Sequence, residues 1–178
     1  MQFIDHIKSR IPDYAKDIRL NLDATILRSS LTPREAVGAA LAAAFAARSP
    51  ALVAAIRDAG ALAPADLNGA LAAAALMGMN NAWYPYVEMA DDDDLRNLRA
   101  ELRMNAYATH GGVDKQTFEL WSLSASIIGK CNFCIESHYK LLKDSGVGVQ
   151  QLRDVGRIAA VINAAAQVLA AEEAAVPA

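Results

Sequence analysis

The stretch Asp114–His138, DKQTFELWSLSASIIGKCNFCIESH, decides the fold, and it holds both cysteines of the 178-residue chain. Asp114 offers a side-chain acceptor to the free N–H groups of a helix start. Phe118, Trp121 and Ile128 then recur at helical spacing, and Gly129 marks a stop. Asn132 reads as the cap of a second helix that carries Cys131 at its mouth and Cys134 in its first turn, and that ends before Gly146. A C-x-x-C of thioredoxin type follows a strand in a βαβ unit. Here helix follows helix, so that fold is excluded.

Working outward, the same signals repeat. Pro12 fits the first turn of a helix through Tyr14, Ile18 and Leu22, and Thr32 with Glu35 forms a capping box opening an Ala-rich helix to about Ala47. Ser49-Pro50 starts another helix, ending near Gly60, and Pro64 opens one through the Ala72–Ala75 block. Asp91–Asp94 lead into a helix ending near Tyr107, and a last helix covers about Val149–Ala171, leaving the tail Ala-Val-Pro-Ala frayed. No run of β-branched and aromatic residues alternates with polar ones. The expected class is all-α with short connections, in a single helical domain over 1–178.

A chain of this length buries about 70% of its unfolded surface, so neither metal nor disulfide is needed to hold it together. With 17 Lys and Arg against 20 Asp and Glu, it has no electrostatic footprint for nucleic acid. The N-terminus MQFIDHIKSRIPDYAKD is charged throughout, unlike a signal peptide, which points to a cytoplasmic protein with reduced thiols. Ala36–Ile56 is interrupted by Arg48 and Pro50, and Ile158–Ala171 is too short to span a bilayer, so no membrane association is expected.

An internal echo runs through the chain. Thr32-Pro-Arg-Glu, an Ala-rich helix and a break at Arg48-Ser49-Pro50 are matched 82 residues later by Asp114-Lys-Gln-Thr, a long helix and a break at Gly129-Lys130. All-α chains also produce such echoes by chance. A true duplication divides the chain into a non-catalytic half, about 12–90, and a catalytic half, about 91–175, with Ser49 and Leu52 standing where Cys131 and Cys134 fall.

Three chemistries compete for the cysteines. Zinc would draw on Cys131, Cys134 and His138, but closed zinc sites take ligands from two knuckles and there is no second pair. A structural staple across two intervening residues closes almost no loop. A redox dithiol has positive support: the helix N-terminus favours a thiolate. His138, four residues after Cys134, shares its helix face and supplies a base.

With Glu119 the pattern becomes E-x(11)-C-x-x-C-x-x-x-H. It resembles the AhpD-like alkyl hydroperoxidases of the carboxymuconolactone decarboxylase superfamily, as do Pro12-Asp-Tyr-Ala-Lys-Asp-Ile-Arg-Leu-Asn-Leu, Met77-Gly-Met-Asn-Asn, Leu102-Arg-Met-Asn and Phe118-Glu-Leu-Trp-Ser. The resemblance implies an all-helical subunit of a homotrimer, a peroxidase with no bound cofactor, and a redox-active disulfide between Cys131 and Cys134. It also implies an AhpC-type peroxiredoxin as partner, and recharging through dihydrolipoamide by a lipoylated acyltransferase with dihydrolipoamide dehydrogenase. Carried onto this chain, Cys134 is the activated thiol, Cys131 its exchange partner and the more open to a bulky one, and Glu119 with His138 the proton relay. Some members hold a further relay histidine between the cysteines, where this chain has Phe133. The alternative of another class is a non-catalytic redox-sensing dithiol protein that docks a partner, and a decarboxylase like the superfamily's namesake would not need the C-x-x-C.

The remaining features have plain readings. His6 and His110 are structural, Glu136 faces solvent, Asp91–Asp94 form a solvated cap favoured by the helix dipole, and Met77 and Met79 fill the core. Phe118 and Trp121 flank Glu119, either as an apolar wall raising its pKa or as ordinary core.

Overall fold

In the structure, a computed structural model describing residues 1–175, every regular element among the described residues is helical. In chain order the α-helices are α1 (Gln2–Ser9), α2 (Lys16–Leu22), α3 (Pro33–Ala46), α4 (Pro50–Asp58), α5 (Pro64–Ala90), α6 (Asp93–Asn97), α7 (Asn105–Thr109), α8 (Lys115–Gly129), α9 (Asn132–Asp144) and α10 (Val149–Ala175), with short 3-10 turns at Asp13–Ala15 and His110–Gly112 and a π turn at Asp23–Leu27. The all-α expectation holds.

Helices α3 and α8 pack on each other and on both α5 and α10, while α4 lies on α3 and α9 lies on α8 and α5. Every residue of α3 from Ala36 to Ala44 is buried. A helix apolar all round belongs in a core, and small side chains let its neighbours approach closely. Gly38 meets the Trp121 indole, which leaves no room there for a Cβ and donates Nε1–H to the Glu35 carbonyl at 3.1 Å. Trp121 is therefore core packing between α3 and α8.

The helix starts follow their caps. The Thr32–Glu35 capping box is complete, and Ser49 Oγ accepts the Leu52 N–H. Asp114 accepts the Thr117 N–H at 2.9 Å while pairing with Arg34, which also holds Asp66. One guanidinium thus ties the starts of α3, α5 and α8 together.

Four expectations need correction. The single helix from Asp91–Asp94 to Tyr107 is instead α6 and α7, with an irregular Leu98–Met104 between them. Leu98 and Leu102 are exposed there, so no apolar face is buried to hold a helix together. Gly129 belongs to α8, and the left-handed residue ending that helix is Lys130 (φ 54°); Gly129 is small because a Cβ would run into Asn81. The final helix continues to Ala175, and the rest of the tail lies outside the described residues. Over Val149–Ala174 that helix is also long and apolar enough to cross a membrane by length and composition. Its reading as a packed helix rests on burial instead: Leu152, Val155, Ile158, Ile162, Ala165 and Leu169 are inside, and it packs on α3 and α8.

Candidate active site

The start of α9 is built by Cys131, not by Asn132. Cys131 has the extended backbone of an N-cap (φ −84°, ψ 103°), and its sulfur accepts the Cys134 N–H at 3.2 Å. The residue three positions past the cap presents the N–H a capping atom needs, and Cys134 stands there. The Asn132 side chain instead reaches Glu88 on α5 at 3.4 Å. Cys131 and Cys134 are bonded to each other, Cα–Cα 5.3 Å, and both are closed off, 0% and 3% exposed. Cys131 is thus no more open to a bulky partner than Cys134.

Behind the disulfide, α8 and α9 bring together the two other expected residues. Glu119 Oε2 lies 2.5 Å from His138 Nδ1, with Glu119 2% and His138 6% exposed. Burial pushes the Glu119 carboxyl up, but hydrogen bonds from His138 and Tyr107 outweigh it and hold it below the ordinary carboxylate value. The apolar wall raising its pKa is therefore not what governs this group. Among the described residues neither ring nitrogen of His138 hydrogen-bonds to a cysteine sulfur: Nε2 faces the Met77 thioether at 3.1 Å.

Reading the sequence missed four groups here. Tyr107 on α7 donates its hydroxyl to Glu119 Oε1 at 2.6 Å, and burial, then that hydrogen bond, pushes its phenol up to about 12. Met77 on α5 is buried, as core filler should be, yet its sulfur touches the imidazole. Ser122 and Ser126 are buried hydroxyls with no partner among the described residues. They follow Glu119 by three and seven residues, so the three share one face of α8. The Ser126 carbonyl also accepts the Cys131 N–H. The helical spacing of Ser122 and Ser126 was a usable signal; nothing local to Tyr107 or Met77 was.

A cavity of about 510 Å³ opens beside the cysteine helix, lined by Trp83, Tyr84, Val87 and Leu98 with Asn132 and Phe133 at its edge. Phe133 is half exposed and stacks on Tyr84, ring centroids 4.2 Å apart. Glu136 is exposed, as expected, and borders the same cavity. His110 lies outside the site, edge-on to Tyr107. Asp91 and Asp93 pair with Arg96 while Asp92 caps α6. Among the described residues no group of three or more His, Cys, Asp and Glu could hold a metal ion.

A helical bundle carrying a buried Cys-x-x-Cys at a helix start, backed by a glutamate–histidine pair, defines a class that comparison with known proteins bears out. The profile of the Carboxymuconolactone decarboxylase family matches residues 93–177. Along nearly its whole length the chain is similar to proteins named alkyl hydroperoxide reductase AhpD. It is 46% identical to that of Rhodospirillum centenum over 173 residues, 96% of this chain and 92% of the relative. It is 42% identical to that of a Bradyrhizobium species over 176 residues, 98% and 97% of the two chains, and 41% identical to that of Brucella canis over 174 residues, 96% and 98%. The chain belongs to the AhpD family.

Proposed function

We propose that this protein is a thiol-dependent alkyl hydroperoxide reductase in which Cys134 and Cys131 are the working dithiol, Glu119 and His138 the proton relay, and dihydrolipoamide the reductant. The observation that carries this reading is the disulfide at the start of α9, backed by a buried carboxylate–imidazole pair. The names of the relatives support the peroxide-reducing activity.

In the reduced form the Cys134 thiolate is favoured by the helix N-terminus. It attacks the terminal peroxide oxygen of ROOH, breaking the O–O bond; Cys134 becomes the sulfenic acid and the alkoxide takes a proton to leave as ROH. The Cys131 thiol then displaces hydroxide from the sulfenic sulfur, which leaves as water, and the disulfide forms. A dithiol returns two electrons and two protons and is itself oxidised. Because both sulfurs are closed in the disulfide form, the reductant needs local opening at the α9 start, and the cavity bordered by Phe133 is the adjoining approach. An AhpC-type peroxiredoxin, a lipoylated acyltransferase with dihydrolipoamide dehydrogenase, a homotrimeric state and a cytoplasmic setting complete the proposal.

Peroxide-dependent oxidation of dihydrolipoamide by the purified protein tests it. Turnover should vanish when Cys131 and Cys134 are both changed to Ser. Wild-type turnover no faster than that of the double variant would favour a dithiol that only senses and docks.

A further inference from the structure

The site contains a contact that the proposed relay leaves unused: His138 Nε2 against Met77 Sδ at 3.1 Å, with Met77 fully buried. A thioether sulfur is a weak hydrogen-bond acceptor and never a donor. An unprotonated Nε2 would turn its lone pair onto the lone pairs of the sulfur inside ordinary contact distance. The contact is attractive only when Nε2 carries hydrogen. The opposite nitrogen, Nδ1, is in hydrogen-bond contact with Glu119, whose other oxygen already accepts from Tyr107. A carboxylate receiving two donors and an imidazole with hydrogen on both nitrogens satisfies all three contacts at once.

We infer that Met77 is a positioning residue that holds the Nε2 hydrogen of His138 while the cysteines are bonded to each other. The inference rests on the proposed dithiol chemistry for its purpose, but not for its geometry. In the disulfide form no thiolate is present to receive that hydrogen, and among the described residues no cysteine sulfur does so. Met77 supplies an acceptor soft enough to release it. When an external dithiol opens the disulfide, one of its sulfurs bonds to Cys131, the Cys131–Cys134 bond breaks, and the electron pair departs on Cys134. A thiolate is a charged acceptor, and charge-assisted hydrogen bonds are roughly twice as strong as neutral ones. The proton on Nε2 then passes to Cys134, and the second sulfur of the reductant displaces Cys131 to complete its own disulfide. Of the two protons the dithiol gives up, one goes to the Cys131 thiolate and one restores His138.

The groups around His138 that bear on this proton come from each packed element. Glu119 and, through its charge on Glu119, Lys115 come from α8, and Tyr107 comes from α7. Met77 of α5 does not titrate, and neither does the disulfide of α9 itself.

The test separates an acceptor from a filler. Met77→Leu conserves volume and removes the acceptor, whereas Met77→Gln keeps an acceptor oxygen at similar reach but buries an amide. In the oxidised wild-type protein at neutral pH, ¹⁵N NMR should show hydrogen on Nε2 of His138, with a nuclear Overhauser contact to the Met77 methyl. That hydrogen should be lost at lower pH in Met77→Leu than in the wild type, and at the wild-type pH in Met77→Gln. Reduction of the oxidised protein by dithiothreitol, followed against pH, should show its alkaline limb moved down by about one pH unit in Met77→Leu, the scale of one hydrogen bond to a charged group. A packing role predicts the reverse order, with Leu silent and Gln disruptive. An unprotonated Nε2 in the wild type, or an unchanged Nε2 and pH limb in Met77→Leu, overturns the inference. Should either variant fail to fold, the wild-type spectrum decides. None of these readings uses peroxide, so failure of the peroxidase proposal would be seen separately.

Discussion

Two helix–turn–helix units, α3–α4 and α8–α9, share one local geometry and bury opposite chemistry. At an offset of 82 residues the turn residue is left-handed in both, Arg48 (φ 56°) and Lys130 (φ 54°). The next N–H closes the same turn, Ser49 to the Ala44 carbonyl and Cys131 to the Ser126 carbonyl. Ser49 Oγ caps Leu52 as Cys131 Sγ caps Cys134. Yet where the second unit buries Glu119, Ser122, Ser126, Cys134 and His138, the first buries Val37, Ala40, Ala44, Leu52 and Ile56. The backbone accepts either set, and the polar one costs more to bury.

The strongest way to break this comparison is to convert the second face into the first. Glu119→Val or His138→Ile alone leaves a buried group without its partner and should destabilise by about 3–5 kcal/mol. The double variant should be close to wild type or more stable, because a buried pair replaced by apolar side chains is often neutral or stabilising. Tyr107 loses its acceptor in Glu119→Val and in the double variant alike, so that cost cancels from the coupling. Urea unfolding of the four proteins measures the coupling. If the two single costs simply add, the pair is not a unit and the two faces are not interchangeable. Conversely, Val37→Glu places a lone carboxylate in an apolar core and should cost at least about 3 kcal/mol.

Next in size is the effect on turnover. General-base help is typically worth about 10²–10⁴-fold, so Glu119→Gln and His138→Gln should each lower peroxidase turnover by at least about tenfold. The corresponding change Val37→Ala in the α3–α4 unit should leave turnover unchanged. Full activity and an unaltered pH profile in Glu119→Gln would make Glu119 an ordinary buried carboxyl.

How much of this was legible follows the range of the interactions. Caps are local, so Thr32, Ser49, Asp114 and Pro64 announced their helices from sequence. The i, i+4 spacing of Cys134 and His138 put them on one helix face for the same reason, whereas Glu119 came in only through the family pattern. Helix α1 is legible in the spacing of Phe3, Ile4 and Ile7, all buried, although the charged residues between them mask the pattern. Tyr107 and Met77 enter the site through α7 and α5, and no periodicity tells which residue of a distant helix meets an imidazole. The break between α6 and α7 was equally hidden. Leu98-Arg-Ala-Glu-Leu-Arg-Met has good helix formers, but nothing there is buried enough to outweigh the entropy of ordering.

A smaller effect concerns acid. Glu119 is held below its ordinary value in the folded protein, so its contribution to stability is present above the unfolded carboxylate value and is lost as pH falls through the folded one. Tyr107→Phe removes one of the two hydrogen bonds holding it there, so less stability should be lost in acid and the loss should end at higher pH. The gap should be about 1–2 kcal/mol near neutral pH and shrink to the cost of packing alone in acid. Unfolding free energy against pH for wild type and Tyr107→Phe measures it, and parallel curves would show that the phenol does not act on the carboxylate.

The smallest effect is expected at Phe133, whose counterpart in the α3–α4 unit is Ala51. A phenyl ring neither accepts nor donates a proton, so it cannot stand in for a relay histidine. Half exposed and stacked on Tyr84, it contributes an aromatic contact worth about 0.5–1.5 kcal/mol beyond its burial. Phe133→Ala should therefore lower stability by about that much and change turnover by only a few-fold through access to the cavity. The pH dependence should stay where it is, because Glu119, Tyr107, Met77 and His138 meet one another without Phe133. Phe133→His is the sharper companion: if an added imidazole raises turnover and moves the pH profile while alanine does neither, position 133 can carry a proton and this chain works without that step. A pH profile moved by alanine would instead mean that the ring keeps solvent from the buried pair, and Phe133 would then belong with the chemistry of the second unit.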